Sequence, residues 1–144
     1  MYIPQYFKIY ELVPKDIYES YPKNKHINLW FLFDDRVLYT QDRLRKRYGK
    51  TICNTWYWGG KHQYRGWRPQ DCIYGTLLSQ HKRGGGIDSI PQETTPETIR
   101  QDILADPWHD DFKYITCIEE KISWLHQDSR NWDKNKNGIF IVKP

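Results

Sequence analysis

The stretch SQHKRGGGID, Ser79 to Asp88, constrains this chain more than any other. Three consecutive glycines, Gly84 to Gly86, are costly to order, because glycine loses more backbone freedom on folding than any other residue. Their position between a histidine and an aspartate calls for close backbone approach, unusual dihedrals, or both. His81 and Asp88 are metal ligands by residue type, and the glycines let the backbone fold back between them. A zinc ion that does chemistry takes three protein ligands and keeps one position open. The third ligand must come from elsewhere, and His126 in SWLHQDSR is the best candidate because it lies in the middle of a half-buried, strand-like run.

Residues an even number apart on a strand share a face. If the strand is unbroken, Glu120, Ile122, Trp124, His126 and Asp128 line one side. Glu120 then stands beside His126 without binding the metal. A hydrolytic centre needs such a carboxylate to take a proton from the attacking water and hand it to the leaving group. Glu119 points the other way on the same assumption, and a bulge near Lys121 exchanges the two.

The remaining pattern predicts an α+β domain, with helices first and a mostly antiparallel sheet after them. LVPKDIYESY reads as a short helix after a proline. FDDRVLYTQDRLRKRYGK reads as a longer helix, capped by Asp34 or Asp35, with Val37, Leu38, Leu44 and Tyr48 on one face and Gly49 just past its end. TTPETIRQDILAD predicts a third, with Thr95 as cap and Pro96 in the first position. TICNTWYW, GIDSI, FKYITCIEE, ISWLHQDSR and GIFIVKP read as strands, and NWDKNKNG as a hairpin turn. Between Lys61 and Leu78 no period is visible, and a loop of that length is usually functional. No linker or repeat divides residues 1–144, so a single domain is expected.

Several classes are excluded by what the chain lacks. No apolar run approaches the roughly 20 residues of a membrane helix, and no secretory signal is visible at the start. The cysteines Cys53, Cys72 and Cys117 are far apart and read as free thiols of a reducing compartment. A net charge of +4 is mild. The aromatic–basic run NTWYWGGKHQYRGWR carries no nucleic-acid motif, its basic residues are few and interrupted, and the walls of a glycopeptide groove account for it as well. His109, with Asp110 and Asp111, reads as a polar connection after a helix. His26 and His62 read as surface residues, with His62 a candidate for the groove wall.

SQHKRGGGID resembles the S-x-H-x-x-G-x-A-x-D signature of the zinc D-alanyl-D-alanine carboxypeptidases and L-alanyl-D-glutamate endopeptidases, which share a fold with the Hedgehog signalling domain. Ser79, His81, Gly84 and Asp88 match, and Gly86 replaces the usual alanine. NTWYWGG, YRGWR and ISWLHQDSRNW look like phage-encoded members, so that the resemblance spans about three quarters of the chain. It implies a Hedgehog/DD-peptidase fold and a zinc ion on His81, Asp88 and His126. It also implies an arginine on the substrate's carboxylate or scissile carbonyl, with Arg68 the best match and Arg65 the alternative, and Ser79 hydrogen-bonded around the site. The enzymes often place the catalytic glutamate three residues before the last histidine, where this chain has Ser123. Hedgehog-type members place it six before, which matches Glu120. The implied activity is hydrolysis of peptidoglycan stem peptides by a phage lytic or virion-associated enzyme. Such an enzyme is made in the host cytoplasm, acts at the cell wall, and has other virion proteins as further partners, but neither nucleic acid nor membrane. The alternative is an inactive, zinc-stabilised structural or binding module of the same fold.

Overall fold

The computed structural model describes residues 1–143. Pro14 precedes the first helix, α1 (Lys15–Ser20), as the sequence predicts. In α2 (Asp35–Tyr48) the Asp34 side chain accepts the Arg36 N–H at 2.9 Å, so Asp34 is the cap of the two candidates. Arg45, Lys46 and Arg47 occupy its last turn, where the helix dipole favours positive charge. α3 (Pro96–Ala105) starts at Thr95, whose hydroxyl accepts the Thr98 N–H at 3.1 Å.

Five strands, β1 (Thr51–Ile52), β2 (Gly86–Pro91), β3 (Cys117–Glu119), β4 (Leu125–Asp128) and β5 (Phe140–Val142), form one sheet in the order β1-β2-β4-β3-β5. Every neighbouring pair is antiparallel except β3 and β5, which are parallel. The architecture is α+β with a mixed sheet.

Two sequence expectations change. NWDKNKNG is not a hairpin turn, because β5 lies beside β3 and not beside β4. The chain has to pass over β3, and a short helix, α4 (Lys134–Asn137), capped by Asp133, makes the crossing. TICNTWYW leaves the sheet after Ile52. Asn54 and Trp56 both donate to the Val13 carbonyl, at 3.1 and 2.8 Å, so the N-terminal segment captures these residues before a second strand can. Lys23–Leu32, for which the sequence predicts no element, forms a long 3-10 segment that buries Leu29 and Trp30.

One face of the sheet is apolar. Ile87 of β2 joins Val13, Trp30, Val37 and Leu38 in one core cluster. Leu125 of β4 and Ile118 of β3 join Leu44, Ile99, Ile103 and Phe112 in a second. Alternation then sends Asp88, His126 and Asp128 to the opposite face, and the register sets Asp88 directly across from His126.

Gly84 supplies the tight return that brings His81 to that face. It has φ +71, and a Cβ there would run into the Leu32 carbonyl oxygen. Its own carbonyl accepts the Asp34 N–H at 3.0 Å, which ties the loop to the start of α2. Gly84→Ala combines left-handed strain with a backbone clash and is expected to cost about 2 kcal/mol or more. Thermal denaturation should show the midpoint falling by roughly 4–8 °C.

Candidate metal centre

His81, Asp88 and His126 come together as the sequence predicts. Each is buried, and one ligand atom from each lies within 4.8 Å of the others, an arrangement that could hold a metal ion. The Asp88 carboxylate bridges the two imidazoles, with Oδ1 2.7 Å from His126 Nδ1 and Oδ2 3.3 Å from His81 Nε2. The outward nitrogens are also engaged. His81 Nδ1 lies 2.8 Å from the Gly66 carbonyl oxygen, which can only accept, so this nitrogen carries the hydrogen and Nε2 presents its lone pair to the centre. His126 Nε2 lies 3.0 Å from Asp128 Oδ2, which leaves Nδ1 for the centre. Two imidazole lone pairs and a carboxylate, each with an outer partner, form a donor set that suits zinc.

The charges reinforce one another. Burial pushes the Asp88 carboxyl up, but His81 and His126 outweigh it and hold the group far below the usual carboxylate range. Burial likewise opposes charging His126, yet the bonds to Asp128 and Asp88 raise its imidazole to about 9. A raised imidazole stabilises the folded metal-free chain fully below its ordinary value of 6.5, and the contribution is lost as pH rises toward 9. The metal-free protein should therefore lose roughly 3 kcal/mol of stability across that window. Calorimetry should show its Tm falling with pH, while the zinc-loaded protein shows no such fall, because ligation requires the neutral ring.

Glu120 does not join the centre. It lies on the α3 side of the sheet, lining a hollow with Glu97, Arg100 and Leu104, and its carboxylate sits 3.8 Å from Lys143 Nζ. The reason is local. Lys121 has φ +57, β4 begins only at Leu125, and the unbroken alternation from Glu120 to His126 therefore does not exist. Pairing of Cys117 with Asp128 and of Ile118 with Gln127 places the next residue, Glu119, on the face of His126 instead. Glu119 lines the hollow of about 370 Å³ that holds His81, Asp88 and His126, and its carboxylate has no hydrogen bond or ion pair among the described residues.

Arg68 does reach the centre. Its Nη2 donates to Asp88 Oδ2 at 2.9 Å and its Nε to the Tyr64 carbonyl at 2.6 Å. Three of the five guanidinium N–H donors have no acceptor among the described residues. Arg65, the alternative, lines an adjoining groove of about 720 Å³ with Lys61, His62, Tyr64 and Trp124. Arg68, Asp88 and Trp124 line both hollows, so the two adjoin at these residues. Ser79 lines the inner hollow. His109 is bound up with Arg47 and Asp111, and His26 packs on Tyr18; both lie away from the centre. The three cysteines are free thiols outside it.

The exchange of Glu119 for Glu120 that a bulge near Lys121 would cause is what the structure shows; sequence reasoning missed Asp128 and Arg130 behind His126, and Trp124, which lines both hollows and whose buried indole N–H has no partner among the described residues. The alternation Trp124–His126–Asp128 was a signal for two of these. Among the described residues no helix is long and apolar enough to cross a membrane. No family model, curated protein or solved structure matches the chain.

Proposed function

We propose that the chain is a zinc-dependent hydrolase of peptidoglycan stem peptides with the Hedgehog/DD-peptidase architecture that its SQHKRGGGID motif suggests. One observation carries the reading: three buried ligand atoms within 4.8 Å of one another, at the floor of an open hollow, with an unpartnered carboxylate on the same wall. A zinc ion on His81, Asp88 and His126 would supply Lewis acidity, polarising a peptide carbonyl and acidifying water at neutral pH.

The protein's own groups divide the remaining work. Glu119 takes a proton from the attacking water and passes it to the departing amine. Arg68 fixes Asp88 and turns its free donors toward a substrate carboxylate or the developing oxyanion. Lys61, Arg65 and Tyr74 give the groove a cationic and aromatic wall, suited to a short peptide bearing carboxylates. A D,D-carboxypeptidase cut and an L-alanyl-D-glutamate endopeptidase cut both fit this groove, and the motif supports a phage lytic or virion-associated setting.

Digestion of purified cell wall, read by mass spectrometry of the muropeptides, tests the reading and identifies the bond. Zinc-loaded protein should release new stem-peptide termini, and chelated protein should not. A chain that binds zinc and leaves every muropeptide intact overturns the peptidase reading. It favours the second one, a zinc-stabilised binding module, to which Ser123 already points by standing where the enzymes often carry glutamate.

A further inference from the structure

We infer that Asp128, tethered by Arg130, is the positioning residue that presents His126 Nδ1 to the metal. The inference rests on the metal-centre reading and is independent of the peptidase one.

An imidazole offers a metal one nitrogen lone pair, and the other nitrogen must then carry its hydrogen and find an acceptor. Both nitrogens of His126 face carboxylates, so the ring alone does not decide which one binds. Asp128 decides it. Its side chain is 0% exposed, and Oδ2 sits 3.0 Å from Nε2. Asp128 cannot exchange roles with Asp88, because Arg130 already occupies both of its oxygens, with Nε 2.9 Å from Oδ1 and Nη2 2.6 Å from Oδ2. The Arg130 backbone N–H adds a bond to Oδ1 at 3.1 Å. The carboxylate is therefore locked in place as an acceptor. His81 has only a neutral carbonyl behind it, so the two histidines are held differently, and His126 is the ligand with a charged outer partner.

The tether makes the asparagine variant informative. In Asp128→Asn the Arg130 donors claim the single amide oxygen, which turns the NH2 toward His126 Nε2. That nitrogen must then accept, and the hydrogen moves to Nδ1, where the metal needs a lone pair. Asp128→Ala has no such effect on the tautomer. It leaves Nε2 free to donate to water, at the cost of an unpaired Arg130.

Zinc affinity measured by competition with a chelating dye, and the ¹⁵N resonances of His126 in the zinc-loaded protein, test this. Asp128→Asn should weaken zinc binding about 10- to 100-fold, and more than Asp128→Ala does. Thermal stability should run in the opposite order, with the alanine variant worse. Adding Arg130→Leu to Asp128→Asn frees the amide to rotate and should recover part of the lost affinity. Equal zinc affinity in wild type and Asp128→Asn, or an unchanged His126 tautomer, overturns the positioning role. So does an alanine variant that is the worse of the two in both measurements, since that marks a purely structural residue. A wild-type chain that binds no zinc removes the metal centre and this inference with it. A chain that binds zinc but cuts no peptide leaves the inference standing.

Discussion

Glu119→Gln is expected to slow release of stem-peptide amines by about 100- to 10,000-fold, the usual worth of a positioned general base. The amide keeps the shape of the carboxylate but cannot take a proton. Glu119 is not one of the three clustered ligands, so zinc content should stay near that of the wild type. The loss should fall on kcat and on kcat/KM alike, because the group acts in the transition state and not in substrate binding. Glu120→Gln is the matched control. Its side chain faces α3 from the other side of the sheet, and the variant should cleave at the wild-type rate. A Glu119→Gln protein with full activity would remove this residue from the mechanism, and a dead Glu120→Gln protein would reverse the assignment.

The second large effect is on stability. Zinc at 1,000 times its Kd stabilises the folded state by about 4 kcal/mol. For a domain of this length, chelation should then lower Tm by roughly 8–16 °C. Unfolding should not be complete at room temperature. The two core clusters lie on the far face of the sheet from the ligands, and the bridging contacts of Asp88 with the two imidazoles persist without metal. Asp88→Ala should lose the chelator response altogether and melt below the chelated wild type, because it strips Arg68 and both histidines of their common partner. Differential scanning calorimetry with and without chelator reads both results. A wild-type Tm indifferent to chelator would mean that no metal is held.

Much of the site was legible because its signals are local. The His81–Asp88 spacing, the glycines between them and the parity of β4 depend on a few neighbouring residues and on backbone geometry. The helix ends were legible for the same reason: Asp34, Thr95 and Pro96 act within one turn. Alternation left one choice conditional, since a bulge near Lys121 would exchange Glu119 and Glu120. Lys121 at φ +57 does break the run between Glu120 and His126, and its residue type alone does not decide whether that break occurs. The parallel placement of β5 was hidden too, since NWDKNKNG has the composition of a tight turn and only the strand order shows that it must cross a neighbour.

The sequence by itself determined the ligand types, the need for a close return at Gly84, and an α+β chain whose helices are bounded by their own caps. Those follow from side-chain chemistry and from dihedral preferences that act over a few residues. Tertiary structure alone decided which glutamate faces His81, Asp88 and His126, that Asp128 and Arg130 stand behind His126, and that Arg68 meets Asp88. Each of these depends on strand register and on which segments pack side by side, and both are set by burying one face of the whole sheet at once.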